Sequence, residues 1–203
     1  MARPREFDEK VVLGAAVQCF WTRGFDGTSI RDLIETTGLT GASLYNAFGD
    51  KRSLYKKALD FYLCASVTNR IQRCEELPPA EGIEVFFAEI VKRSIADQDR
   101  KGCMLVNTAL DLAPHDSEFR DAVTEGFAKI EAFFLRCVEK GQADATINPS
   151  LPALKIAKSL LALLTGIRVL ARIGADRSLL EGAIEPVMAL LRFGTTSSSR
   201  KTA

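Results

Sequence analysis

The stretch from Thr28 to Phe48, T-S-I-R-D-L-I-E-T-T-G-L-T-G-A-S-L-Y-N-A-F, collects small hydroxyl and amide side chains around a single tyrosine. Such groups hydrogen-bond to phosphate oxygens and base edges with little steric bulk. At helical spacing, Ile30, Leu33, Leu39, Leu44 and Phe48 form an apolar backing, which turns Thr40, Gly41, Ser43, Tyr45 and Asn46 toward solvent. Two short helices joined by a tight turn containing glycine, here Gly38, have the layout of a helix-turn-helix. The second helix has to project far enough to enter a major groove about 12 Å wide. A plainer reading stands beside this one: Tyr45 as ordinary packing and Lys51 as a solvated charge.

Other chemistries find few residues. The one histidine, His115, sits in a turn-like A-P-H-D, too little for a His-rich metal site or a Ser-His-Asp triad. The five cysteines (Cys19, Cys64, Cys74, Cys103, Cys137) are scattered and form no C-x-x-C pair, which fits a reducing cytoplasm better than a disulfide framework. No catalytic residue, metal or cofactor is expected. Cys103 is the exception worth naming. It follows Arg100, Lys101 and Gly102 at a predicted helix start, where positive charge and the helix dipole favour thiolate. An oxidant or electrophile sensor is one reading; a small buried hydrophobe is the other. Cys19, Cys64, Cys74 and Cys137 read as mid-helix and inert.

The composition is that of a folded chain: 47% of residues are hydrophobic, and 27 Lys+Arg nearly balance 26 Asp+Glu for a net charge of +1. Residues 1–57 carry nine Lys/Arg against seven Asp/Glu, compatible with nucleic-acid binding without indicating it. The uncharged run Ser159 to Ile167 falls well short of the about 20 residues that cross a bilayer. The opening MARPREFDEK lacks the apolar core of a signal peptide. A cytoplasmic protein without a membrane partner is expected.

The elements that must position the motif all read as helices. Val12, Ala16 and Phe20 make one stripe that ends at R-G-F-D-G. Thr28, Thr40 and Asp50 are placed to cap the second, third and fourth helices, the last running from about 51 to 73. Further helices are predicted near 80–98, 103–112, 116–142, 150–173 and 177–193, with Pro78-Pro79, Pro114, Pro149 and Gly174 in the gaps. Pro186 should kink the last one. The result is an all-α chain of about nine helices. It is expected to divide into a helix-turn-helix domain at 1–50 (motif 29–48), a larger helical domain at 51–195 and a polar tail at 196–203. Arg3 and Arg5 read equally as an arm brushing phosphate or a soluble tail.

Four elements in order, A-A-x-x-x-F-x-x-x-G-F (Ala15–Phe25), T-S-I-x-D-L-I (Thr28–Ile34), G-L-T-G-A-S-L-Y (Gly38–Tyr45) and F-x-D-K-x-x-L (Phe48–Leu54), resemble the DNA-binding domain of the TetR/AcrR family of bacterial transcriptional regulators. The resemblance implies that Thr28 and Ser29 lie near backbone phosphate. It also implies that Thr40, Gly41, Ser43, Leu44, Tyr45 and Asn46 belong to the recognition helix and that Lys51 opens the fourth helix toward an anion. Gly41 stands where a basic residue is common and Ala47 where an aromatic or histidine is common, so those positions should contribute little.

Beyond residue 57 the resemblance rests on size and helix pattern. It implies a C-terminal effector-binding and dimerisation domain. The two last helices are apolar over more than one stripe, and a four-helix dimer interface is expected through Leu160, Leu164, Ile167, Leu180, Ile184, Val187 and Leu191. Polar residues interrupting apolar helices, Asn107, Thr108 and Asp111, with Arg168 and Arg172, join Cys103 as candidate ligand contacts. Structural hydrogen bonds and surface charges are their plainer readings. The expected function is a homodimeric regulator, a repressor by family habit, released from a palindromic double-stranded DNA operator by a small-molecule effector. A Cys103 redox sensor on the same fold, an all-helical enzyme and a protein-binding adaptor are the alternatives.

Overall fold

The computed structural model describes residues 7–192; Arg3, Arg5 and the tail from 196 onward lie outside them. Among the described residues ten α-helices follow one another: α1 (Glu9–Arg23), α2 (Ile30–Thr37), α3 (Gly41–Phe48), α4 (Lys51–Tyr62), α5 (Asn69–Glu75), α6 (Pro79–Ala96), α7 (Met104–Asp111), α8 (Ser117–Ala143), α9 (Ala153–Arg172) and α10 (Arg177–Leu191). A wider π-helical turn, Leu63–Thr68, joins α4 to α5 without a break, so the sequence reads them as one helix. Among the described residues the sole β-type pairing is an isolated bridge between Ile147 and Arg192.

Local chemistry sets the boundaries. Asp8 accepts from the Lys10 N–H to start α1, and Asp50 accepts from the Ser53 N–H at 2.7 Å to start α4. The cap of α2 is Ser29 and not Thr28: Ser29 and Asp32 exchange hydrogen bonds in a capping box, 2.8 Å from the Ser29 N–H and 3.1 Å from the Asp32 N–H. The helix ends at Gly38, whose φ of +71° is a left-handed conformation that residues with a Cβ resist. Pro186 does sit inside α10, which nevertheless runs on to Leu191.

The chain forms two compact units. One comprises residues up to Thr68 together with Cys103–Val123; the other comprises Asn69–Gly102 and the residues from Thr124 onward. Compactness therefore does not change at residue 50: α4, α7 and the first turns of α8 pack with the N-terminal helices. In the first unit, Phe20, Leu33, Leu44, Leu54 and Leu59 are buried, and Tyr55 packs edge-on to Phe20, Phe25 and Phe119. The second unit is built on Phe86, Phe87, Phe133 and Phe134, almost wholly buried, with ring centroids 5.1–6.1 Å apart.

Within that second unit α6, α9 and α10 pack on one another, and this corrects the expected dimer residues. Leu160, Leu164, Ile167, Leu180 and Leu191 point into the core of the single chain, while Ile184 and Val187 are half-buried. Three helices with broad apolar surfaces bury their richest stripes against each other first. What they leave outside is a sparser set: Leu154, Ala162, Gly166, Val169 and Ile173 along α9 and its end, and Leu179, Gly182, Pro186 and Leu190 along α10.

Candidate nucleic-acid interface

The α2–turn–α3 segment owes its shape to three short-range devices. The Ser29–Asp32 box starts α2, Gly38 turns the chain, and Thr40 caps α3 by accepting from the Ser43 N–H at 3.2 Å. The Asp32 carboxyl is held below its ordinary range by the two hydrogen bonds from Ser29 and by Arg23, with which it forms an ion pair. Asp50 is lowered likewise, first by the Ser53 N–H. Gly41 lies close to α2; a Cβ there would stand 3.3 Å from Ile34 Cδ1. The small residue thus lets α3 settle on α2, where a longer cationic side chain would have reached outward.

α3 presents a polar outer face and a buried inner one. Tyr45 is 49% exposed; Thr40 and Asn46 are exposed, and Gly41, Ser43 and Ala47 half-buried. Ser29 is exposed at the start of α2. Two residues expected at the interface are turned away from it. Thr28 is fully buried, its hydroxyl donating to the Gly24 carbonyl at 2.6 Å, so it closes the preceding turn. Leu44 is buried beneath α3 and belongs to the backing alone. Lys51 opens α4 half-buried, its Nζ 4.4 Å from the centroid of the Phe25 ring. The alkylammonium thus stacks on an aromatic face at a helix N-terminus, where anions are favoured.

The surrounding charge is less available than the sequence suggests. Arg52 makes a two-armed contact with Asp116 at 2.8–3.0 Å and a further ion pair with Glu118, which also holds Lys56. No local signal announces these pairs, because their partners lie more than 60 positions away in sequence. The capping acid Asp32 was readable, as S-x-x-D before an apolar run.

The matches to known proteins agree with this geometry. Residues 12–58 match the family model described as bacterial regulatory proteins, tetR family, and residues 79–187 match that of the tetracyclin repressor-like C-terminal domain. The chain belongs to the TetR family. A relative from Bacillus subtilis, the uncharacterized HTH-type transcriptional regulator YezE, is 30% identical over 94% of this chain and its own entire length. The HTH-type transcriptional repressor ComR of Escherichia coli is 27% identical over 86% of this chain and 84% of its own. Among solved TetR structures, a cysteine mutant of the regulator CifR in complex with 26-bp double-strand operator DNA is 30% identical, with a TM-score of 0.81 over 92% of this chain and 98% of that one. This chain is thus a DNA-binding transcriptional regulator and not an enzyme.

The six candidate ligand contacts are divided between the two units. Cys103, Asn107 and Thr108 fall in the first unit, Arg168 and Arg172 in the second. Thr108 is fully buried between the Tyr55 hydroxyl at 2.8 Å and the Met104 carbonyl at 2.7 Å. Asp111 is exposed. Arg168 donates to Ser94 Oγ and to the Gly102 carbonyl, and Arg172 to the Lys101 carbonyl at 2.9 Å. These two arginines staple the loop that leaves α6, where Lys101 is itself paired with Asp97 and Asp99. Among the described residues no group of His, Cys, Asp and Glu is placed to hold a metal ion, and no helix is long and apolar enough to cross a membrane.

Proposed function

We propose that the protein is a homodimeric repressor that binds a palindromic operator and leaves it when a small-molecule effector binds. The observation that carries the reading is α3: a capped eight-residue helix with an apolar inner face and Thr40, Tyr45 and Asn46 outward. Ser29, Thr40, Gly41, Ser43, Tyr45, Asn46 and Lys51 are the proposed DNA contacts. The helix-turn-helix domain ending near residue 50 is the reading part, and residues 51–195 the effector-binding and dimerising part. The proposed site of action is the cytoplasm.

Pairing supplies what one short helix with few cations lacks. Two protomers related by a two-fold axis offer two recognition helices to half-sites about 34–36 Å apart or a multiple of it. The open apolar and small residues of α9 and α10, Ala162, Gly166, Val169, Leu179 and Leu190, support a face where a second copy packs closely. Release then requires only a change in the separation of the two α3 helices, carried through α4, of about 1–3 kcal/mol in coupling.

Selection of bound sites from random duplex DNA tests the reading. A two-fold symmetric consensus is expected, and log K should fall with log salt by about 0.9 per phosphate neutralised. Tyr45→Ala and Lys51→Ala should each weaken the selected duplex while leaving the unfolding midpoint in place; unchanged affinity in both would refute these contacts. A redox route through Cys103 has one specific support: the thiol stands at the start of α7 with the Tyr62 hydroxyl of α4 donating to Sγ at 3.5 Å. Release by oxidant that survives Cys103→Ser would discard it.

A further inference from the structure

We infer that Asp116 and Glu118, at the start of α8, are positioning residues for DNA binding: they hold α4 through Arg52 and Lys56 and thereby set the frame on which α3 and Lys51 are mounted. The inference rests on the proposed α3 interface and adds a residue pair remote from it in sequence. The geometry begins at α4. Its first turn carries Lys51, and α3 packs against it. One turn of α4 then presents Arg52, Tyr55 and Lys56 to the 103–123 segment. Arg52 meets Asp116 with one edge of its guanidinium, Nε donating to Oδ2 at 3.0 Å and Nη2 to Oδ1 at 2.9 Å. Its other amino group pairs with Glu118, which also accepts from Lys56. The guanidinium lies 5.2 Å from the centroid of Phe119, and Phe119 stands edge-on to Tyr55. The Tyr55 hydroxyl bonds Thr108.

An isolated surface ion pair holds little. This one differs in kind: a fork-shaped cation bridges two carboxylates, a second cation shares one of them, and a buried aromatic pair lies beneath. Such bidentate geometry fixes direction as well as distance. Asp116 is anchored on its own side too, accepting from the Glu118 and Phe119 N–H groups at the start of α8. The clasp therefore joins two helix N-termini, and α4 cannot pivot about its axis without breaking it.

The sign of the effect separates positioning from plain charge. Removing two negative charges from a DNA-binding protein strengthens its attraction to any duplex if charge is all that matters. Loss of positioning weakens only the duplex whose bases must be met in register. The test uses the full-length protein carrying Asp116→Asn and Glu118→Gln, the duplex selected by the wild-type protein, and a scrambled duplex of equal length. The expected result is operator affinity lower by about tenfold, within the range of ordinary site coupling, with scrambled-duplex affinity equal or higher. Equal gains on both duplexes, or no change on either, would overturn the inference. Should the double variant lose its helical signal, the exchange Arg52→Asp with Asp116→Arg replaces it; operator binding closer to wild type than either single change supports the clasp, and additive losses refute it. Tyr45→Ala serves as the control: if it too leaves operator binding untouched, the α3 interface has failed and not the clasp.

Discussion

Helix α3, the proposed recognition helix, and the phenylalanine cluster of the second unit solve opposite problems. α3 spends only Leu44 and Phe48 on burial and keeps the rest of its eight residues small, polar or exposed. Phe86, Phe87, Phe133 and Phe134 expose almost nothing and pack ring against ring. The first region is shaped by caps and a left-handed glycine, interactions reaching no more than three or four residues. The second is shaped by rings 47 or 48 positions apart in sequence, Phe86 meeting Phe133 and Phe134, and Phe87 meeting Phe134. A DNA-reading element can be held by local chemistry because its outer face has to stay free. A core cannot.

The contrast can be broken from either side. Reactivity should separate most widely. Burial, with Glu75 nearby, pushes the Cys137 thiol up to about 11, whereas Cys64 lies exposed on the π-helical turn. In the native protein, alkylation followed by mass spectrometry should modify Cys64 first and Cys137 at least about 100-fold more slowly; comparable rates would mean that the second core is loose. Phe134→Ala should cost about 3–5 kcal/mol in urea unfolding and reduce DNA binding only through loss of folded protein. Tyr45→Ala should do the reverse, lowering operator affinity by roughly 10- to 100-fold if its hydroxyl meets a phosphate with no shift in the urea midpoint. Ser29→Ala should cost about 1 kcal/mol, the usual worth of an N-cap, seen as a lower thermal midpoint. The smallest effect is in acid. Because the Asp32 carboxyl titrates below its unfolded value of 3.8, its contribution is present above that value and is lost as the pH falls below it through the lower folded value. The difference in melting temperature between wild type and Asp32→Asn should therefore shrink as the pH drops toward 3; a constant difference would remove ionisation from the account.

What the sequence discloses follows the same division. The all-α class, the approximate bounds of the helices and the outward set Thr40, Ser43, Tyr45 and Asn46 follow from periodicity and capping, which act over a turn or two. Thr28 and Ser29 are adjacent and both suited to cap α2, and periodicity alone does not choose between them; the Asp32 partner three residues after Ser29 does. The apolar surplus on the last two helices was visible, but its direction was not. Leu160 and Leu180 are buried by their own chain, and nothing in a one-dimensional pattern says whether a stripe meets a neighbour or a second copy. Arg168 and Arg172 read from sequence as surface or interface charges with ligand anchors as the alternative, because a cation on an apolar helix demands a partner. Their partners are loop carbonyls that the sequence does not advertise.

The discontinuity of the first unit also has a consequence at the ribosome. Its N-terminal helices are made early, yet Thr108, Asp116 and Phe119, which complete the packing around Tyr55 and Arg52, come only after the whole of α5 and α6. At about 5–20 residues per second, the nascent helix-turn-helix waits roughly 3 to 10 s between the emergence of Thr68 and that of Val123. During that interval Tyr55 has Phe20 and Phe25 but neither Phe119 nor Thr108, and Arg52 lacks its acidic partners, so the growing chain leaves open an aromatic edge that the finished regulator conceals.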